Sequence, residues 1–275
     1  MVIVPQNDTT HKEGFSLQWI PKNGKTATPI SRRIFFLDEL RGFAVLCMIF
    51  YHGFFTFSTT LNWHWSSQLL SFFQPVEPLF ATLFLVISGI AANLTRSNLL
   101  RGAKLAVVAA CVTIVTVFVT PEQPIYFGIL HLLSVAMLLT QPLKPLTDRI
   151  PIWTGIGICF CLTALTYHIW EGFLGFFSLP LIPLPEFLYQ TDWLCWLGTY
   201  SDSFFSVDYF PIFPWLFVYF GGVFFGRLAL RGRFPEWTYQ SHVRFFSFLG
   251  RHALLLYIVH QPVFYGIAIL IHYCL

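Results

Sequence analysis

Arg41 and His52 stand eleven residues apart in the run LDELRGFAVLCMIFYH. Eleven residues make about three helical turns, so at ~100° per residue the two side chains return to one face of a helix, ~16 Å apart along its axis. The run is apolar enough to cross a bilayer. A charged group at that depth costs ~2.5 to 3.5 kcal/mol or more on insertion scales, so such residues face a bundle interior or a wet cavity. A fixed guanidinium at one level can hold a phosphorylated carrier. An imidazole at another, with an ordinary pKa of ~6.5, can take a proton from an acceptor or attack a carbonyl near neutral pH.

Other titratable groups fall at comparable depths. His131 lies seven residues after Pro124, His260 lies nine past Arg251, and Asp208 and Glu77 each stand just ahead of a proline, Pro211 and Pro78. His52, His131, His260, Asp208 and Glu77 are therefore expected to border one outward-opening cavity, with His64 between Trp63 and Trp65 in the first outer loop. Each has a structural reading beside the chemical one. A histidine in a span can simply satisfy a backbone carbonyl or a neighbouring hydroxyl, Asp208 and Glu77 can cap helices, and Arg41 can pair with Asp38 three residues earlier. Arg32, Arg33, Arg96, Arg101, Lys104, Arg227 and Arg251 gather at helix ends on the opposite side, where they serve either anionic lipid or the phosphates of a nucleotide carrier. No His, Cys, Asp or Glu spacing suggests a metal site, and no nucleic-acid partner is expected.

The elements that must position these groups follow from composition. Of 275 residues, 56% are hydrophobic and 11% charged, against roughly 25% charged in soluble domains. An all-α multi-pass membrane bundle is predicted, with seven spans at 34–57, 76–95, 103–120, 124–141, 151–169, 209–229 and 251–273. Several spans are bounded by proline, at Pro75, Pro121, Pro124, Pro142 and Pro151. Residues 1–31 read as a polar cytoplasmic tail without a signal peptide, and 32–275 as the membrane domain. Residues 42–95, 105–143 and 150–226 hold no Lys or Arg, so apart from Arg41 the basic residues fall on one side. Cationic loops stay cytoplasmic, which predicts the N terminus inside and the C terminus outside. Ser58 to Gln74 and about Trp170 to Asp208 become outer loops. The second is long, aromatic and acidic, a composition that suits sugars and interfacial belts alike. The six cysteines lie mostly within apolar runs and read as buried, inert thiols.

The strings LDELRGFAVLCMIFYH, LFLVISGIAANLTRSNLLRG, YFGILHLLSVAML, DYFPIFPW and LGRHALLLYIVHQP, in that order, resemble the catalytic domain of the heparan-α-glucosaminide N-acetyltransferase family, specifically its short bacterial members. The Arg41-to-His52 spacing is also similar to the Arg-x10-His signature of the wider transmembrane acyltransferases that O-acetylate surface polysaccharides. The resemblance implies transfer of an acetyl group from cytoplasmic acetyl-CoA, as co-substrate, to a sugar or glycan across a bacterial cytoplasmic membrane. In the lysosomal member a histidine of the first luminal loop is the proposed catalytic group. His64 occupies an approximately comparable position, whereas the superfamily signature falls on His52.

On this reading Arg41 and the basic helix ends hold the carrier, and His52 is general base or nucleophile. His131, His260, Asp208 or His64 orient it, bind the acceptor or steady the oxyanion. The product, an amide or an ester, stays open, and a homo-oligomer embedded in lipid is compatible with the sequence. A small proton-coupled transporter with a histidine relay is the alternative, and a scaffold a third. The last span lacks the lysine of a retinal protein, and HExxH and GxSG protease motifs are absent.

Overall fold

The computed structural model describes residues 33–176 and 179–274. The expected tail over 1–31, and Arg32 with it, lie outside the described residues. Helix α1 spans Phe35–Leu61, α2 His64–Phe73, α3 Glu77–Ala92, α4 Asn98–Val119, α5 Ile129–Arg149, α6 Ile152–Thr166, α7 Ile212–Leu230, α8 Arg244–Arg251 and α9 Ala253–Cys274. Among the described residues seven helical stretches are long and apolar enough to span a membrane, at Phe35–Leu61, His64–Ala92, Asn98–Val119, Ile129–Arg149, Ile152–Glu171, Ile212–Leu230 and Ala253–Cys274. A two-stranded antiparallel hairpin, β1 Phe173–Phe176 and β2 Leu179–Pro183, interrupts the helices.

Several expected boundaries move, each for a physical reason. Ser58 to Gln74 is not a loop: α1 runs on to Leu61, reverses at Asn62 in a left-handed conformation, and α2 returns along it. The Ser66 hydroxyl donates to the Phe54 carbonyl at 2.7 Å and Ser58 and Ser67 bond each other at 2.9 Å, so serines that looked like loop residues fasten one helix to another. The fourth span starts at Ile129 rather than 124 and continues past Pro142 and Pro145 to Arg149. Proline costs a helix one amide bond, but neighbouring helices support such breaks inside membrane bundles. The seventh predicted span is two elements, α8 and α9, meeting at His252. The stretch from Trp170 to Asp208, expected as an outer loop, folds into the hairpin and short 3-10 turns, and its described residues hold no helix long enough to span a membrane. Of the six thiols, all free, only Cys47 and Cys159 are buried; Cys111, Cys161 and Cys274 face outward, where lipid accepts an apolar thiol as readily as a core does.

The interior is built by α3, α5, α6 and α7, with Leu85, Leu132, Ala136, Tyr219 and Val223 sealed among them. A polar bond between α5 and α7, Thr140 to Tyr219 hydroxyl at 3.1 Å, and another from Asn93 on α3 to the Val223 carbonyl at 2.8 Å fix the register of these helices. Helices α4 and α9 bury little of their surface and sit at the periphery. Helix α1 touches α2, α3, α8 and α9 and links the two sides of the bundle.

Where α1 crosses α8 the backbones meet. A Cβ added to Gly42 would strike the Phe246 carbonyl, and one on Gly250 the Asp38 carbonyl. Beside this crossing, Glu39 Oε1 accepts from the amides of His242 and Val243 at 2.7 and 2.9 Å and from the hydroxyls of Ser241 and Ser247 at 3.1 Å each. The carboxylate of α1 thereby supplies the N-terminal acceptor that α8 lacks in its own sequence. Glu39→Ala strands four donors beside a buried position and is expected to lower stability by about 3 kcal/mol. Glu39→Gln keeps an acceptor and should cost less than half as much. Thermal unfolding of the purified protein separates the two, and equal midpoints for wild type and Glu39→Ala would remove the cap from the fold's account.

Candidate active site

A cavity of about 390 Å³ opens between α1, α3, α4, α5 and the α8–α9 junction. That volume lies within the range of small-molecule sites. Both Arg41 and His52 line it, as their three-turn spacing on α1 requires. Its polar groups divide into two sets, with Ala44, Val45, Met48, Phe84, Leu105 and Leu133 among the apolar residues of its wall. One set is cationic: Arg41, Arg101, Lys104 and Arg251. The other is titratable: His52, Glu77, Tyr51, Asp208 and Tyr257.

At the cationic end Arg41 donates to Asp38 Oδ1 at 3.1 Å, and Asp38 also pairs with Arg33 at 2.7 Å. The expected structural partnership of Arg41 with Asp38 and its place on the cavity wall therefore hold together. Arg101 sits near enough to Arg41 to oppose its charge, and its guanidinium bonds the Thr95 hydroxyl. Arg251 donates to the Ser247 carbonyl at 3.2 Å. Three or four cations converging with a single shared carboxylate leave an excess of positive charge, the complement of phosphate. Arg33 is half-exposed and engaged with Asp38, and Arg96 is exposed; neither lines the cavity.

At the other end, His52 carries a buried Nδ1 with no hydrogen-bond partner, and its Nε2 is the nitrogen left open to the cavity. His260 on α9 packs against it with ring centroids 5.2 Å apart. The Nδ1 of His260 lies 2.7 Å from the Tyr257 carbonyl, which can only accept, so that nitrogen carries the proton and the buried, partnerless Nε2 is a lone pair. Next to it Gln261 donates to Thr56 at 3.3 Å. Tyr257 donates its hydroxyl to Asp208, which also accepts the Ile129 amide at 3.1 Å. Asp208 thus caps α5, and not the helix that follows it in sequence. Burial pushes its carboxyl above the ordinary range, with the bonds from Tyr257 and Ile129 pulling partly back. Glu77 lies within electrostatic reach of both Asp208 and Tyr51.

Of the expected set, His52, Glu77 and Asp208 line the cavity, His260 packs against His52 without lining it, and two members lie elsewhere. His131 stands in the first turn of α5, accepts the Gly128 amide on Nδ1 at 3.2 Å and bonds Thr113 through Nε2 at 3.1 Å. Nδ1 closes the start of its own helix and Nε2 ties that turn to α4, and the residue is not part of the cavity wall. His64 begins α2 and is exposed, outside the lining. Tyr51 and Tyr257 are the titratable wall residues absent from the expected set. A signal for Tyr257 was present: it lies three residues before His260 and so shares its helix face. Among the described residues no three His, Cys, Asp or Glu side chains converge as metal ligands would.

The profile of one protein family, described as heparan-alpha-glucosaminide N-acetyltransferase, catalytic, matches residues 33–262. No curated protein and no solved structure matches the chain.

Proposed function

The chain belongs to the heparan-alpha-glucosaminide N-acetyltransferase catalytic family, a multi-pass membrane acyltransferase, and from that premise we propose that it moves an acetyl group from cytoplasmic acetyl-CoA to an extracytoplasmic sugar or glycan. The observation that carries this reading is the single cavity with Arg41, Arg101, Lys104 and Arg251 in one polar set and His52, Glu77 and Asp208 in the other. Acetyl-CoA supplies a thioester on a long, phosphate-bearing arm. The residues present fit it: cations for phosphates, an apolar wall for the arm, and a partnerless buried imidazole where the acyl group would arrive.

His52 Nε2 takes the proton of the acceptor amine or hydroxyl as that atom attacks the thioester carbonyl carbon. The new carbon–nitrogen or carbon–oxygen bond forms, the carbon–sulfur bond breaks, and the thiolate leaves with the proton His52 has gathered. His260, packed against the His52 ring with centroids 5.2 Å apart, holds that imidazole in its orientation by contact. Asp208, held by Tyr257, and Glu77 are the groups that receive the acceptor's polar atoms. The sidedness of this scheme, with N terminus and carrier inside a bacterial cytoplasmic membrane, rests on the lysine and arginine distribution.

Acetyl-CoA binding tests the reading without any acceptor. A ligand that binds only the folded state raises its unfolding midpoint by mass action, so acetyl-CoA is expected to raise that of the wild type. The double variant Arg101→Ala, Lys104→Ala removes two exposed cations and should weaken acetyl-CoA binding ten- to hundredfold, on the order of 1.5 to 3 kcal/mol for charge-assisted contacts. Calorimetry showing equal affinity would refute the phosphate role. Solute flux in vesicles with no acetyl-CoA binding would favour the proton-coupled transporter instead.

A further inference from the structure

Beside the transfer cavity lies a second cleft, of about 310 Å³, walled by Tyr167, Trp170, Tyr200, Tyr209 and Trp215. The two are separated by one strip of chain. Along residues 208–211 the side chains alternate: Asp208 and Phe210 line the first cavity, Tyr209 and Pro211 the second. The strip is held firmly. Tyr209 donates its hydroxyl to the Cys195 carbonyl at 2.7 Å, Tyr200 packs edge-on against its ring at 5.3 Å, and Phe210 meets Trp215 edge-on across the partition at 5.2 Å.

The chemistry of the cleft is narrow. No Asp, Glu, Lys or Arg lines it, so it offers no opposite charge to a phosphate, a sulfate or an ammonium. Its walls are flat rings, and among the described residues the Nε1 groups of Trp170 and Trp215 and the hydroxyls of Tyr167 and Tyr200 make no hydrogen bond within the protein. An alkyl chain in such a cleft would leave those donors unpaired. A pyranose ring fills both requirements, with its C–H face on an indole or phenol and its hydroxyls on the rim donors.

We propose that this cleft binds a neutral saccharide ring, the unit of the glycan acceptor next to the one that reacts. The assignment rests on the acyl-transfer reading for the word acceptor, and on the cleft alone for the word saccharide. Its place one residue from Asp208 gives it a role in transfer, because an acceptor seated there reaches the first cavity only past the strip that holds Asp208.

Two measurements separate the cleft from the reaction. With the protein in phosphatidylcholine nanodiscs, free of sugar-headed detergent, a disaccharide of glucosamine β-linked to glucose, whose second ring is neutral, is titrated while tryptophan fluorescence is followed. Quenching in the wild type, lost in Trp170→Ala and weakened in Tyr200→Phe, is the expected result. Trp170 is half-exposed, and an unchanged unfolding midpoint verifies that its variant folds. No saccharide response in the wild type, or the same response in Trp170→Ala, overturns the cleft, as does a response to short-chain phospholipid alone. In the transfer assay Trp170→Ala should raise KM for the disaccharide about tenfold while KM for acetyl-CoA and the rate with free glucosamine stay put; an equal KM for the disaccharide again overturns it. A wild type that binds the disaccharide but never acetylates any amino sugar or hydroxyl acceptor sinks the acyl-transfer reading and leaves the saccharide cleft standing.

Discussion

Replacing His52 with alanine is expected to reduce acetyl transfer by ~10² to 10⁴, the usual contribution of a positioned acid–base group, with the protein still inserted and folded. His52 is the one imidazole on the wall of the cavity, and it makes no hydrogen bond to another described residue. Its removal costs the scaffold no polar contact, so the loss should appear in turnover and not in stability. Release of CoA thiol in the presence of an amino-sugar acceptor measures the rate, and the unfolding midpoint checks the fold. His131→Ala makes the opposite pattern: one of its hydrogen bonds closes the first turn of α5 and the other ties that turn to Thr113 on α4, so the midpoint should fall and the surviving folded enzyme should turn over. A His52→Ala enzyme running within twofold of wild type would take that residue out of the chemistry.

Gly250→Val should unfold or strand most of the protein, at a cost of about 3 kcal/mol or more. A side chain there drives into the Asp38 carbonyl and lies 3.0 Å from the Gly42 amide, and both obstacles are backbone. Neither can rotate away, so α1 and α8 must separate. Separation pulls Glu39 from the start of α8 and moves Arg41 and Arg251, which face one cavity from the two sides of the crossing. Close approach through small residues is the ordinary way membrane helices associate, because lipid gives no hydrophobic drive to hold them. Gly266→Ala is the matched control, since a Cβ there meets nothing within 4 Å. Fluorescence-detected size exclusion and thermal midpoints compare the two. A Gly250→Val protein with wild-type elution and midpoint would show that the crossing carries no weight.

Much of this arrangement could be read before any fold was known, and the limits are instructive. Helical periodicity placed Arg41 and His52 on one face, and the structure puts both on one wall. Hydropathy counted seven spans because the bilayer demands a length that composition can meet. Periodicity said nothing of which helix faces which, so His131 looked like a cavity residue although Thr113 on α4 claims its second nitrogen. Ser66 and Ser67 read as loop because local preference carries no knowledge of the Phe54 carbonyl and the Ser58 hydroxyl of α1 that they meet. Pro142 read as a helix end because its penalty is local, whereas the neighbours that absorb it are not. The partition at 208–211 was invisible for the same reason: alternation over four residues acquires meaning only when a cavity lies on each side.

Arg41 and His52 also share one uninterrupted helix, Phe35–Leu61. A single rod keeps its two marks at a constant separation whatever the remaining helices do, so the anchor and the base need no rocking of halves to come into register. On the acyl-transfer reading the acetyl group then crosses by the reach of its own tether, as a rope passed along a fixed mast. Such a protein need never close one gate before opening another, and a brake applied between those two marks, by bulk at Ala44 or Val45, would block the passage while leaving the mooring and the chemistry at its ends intact.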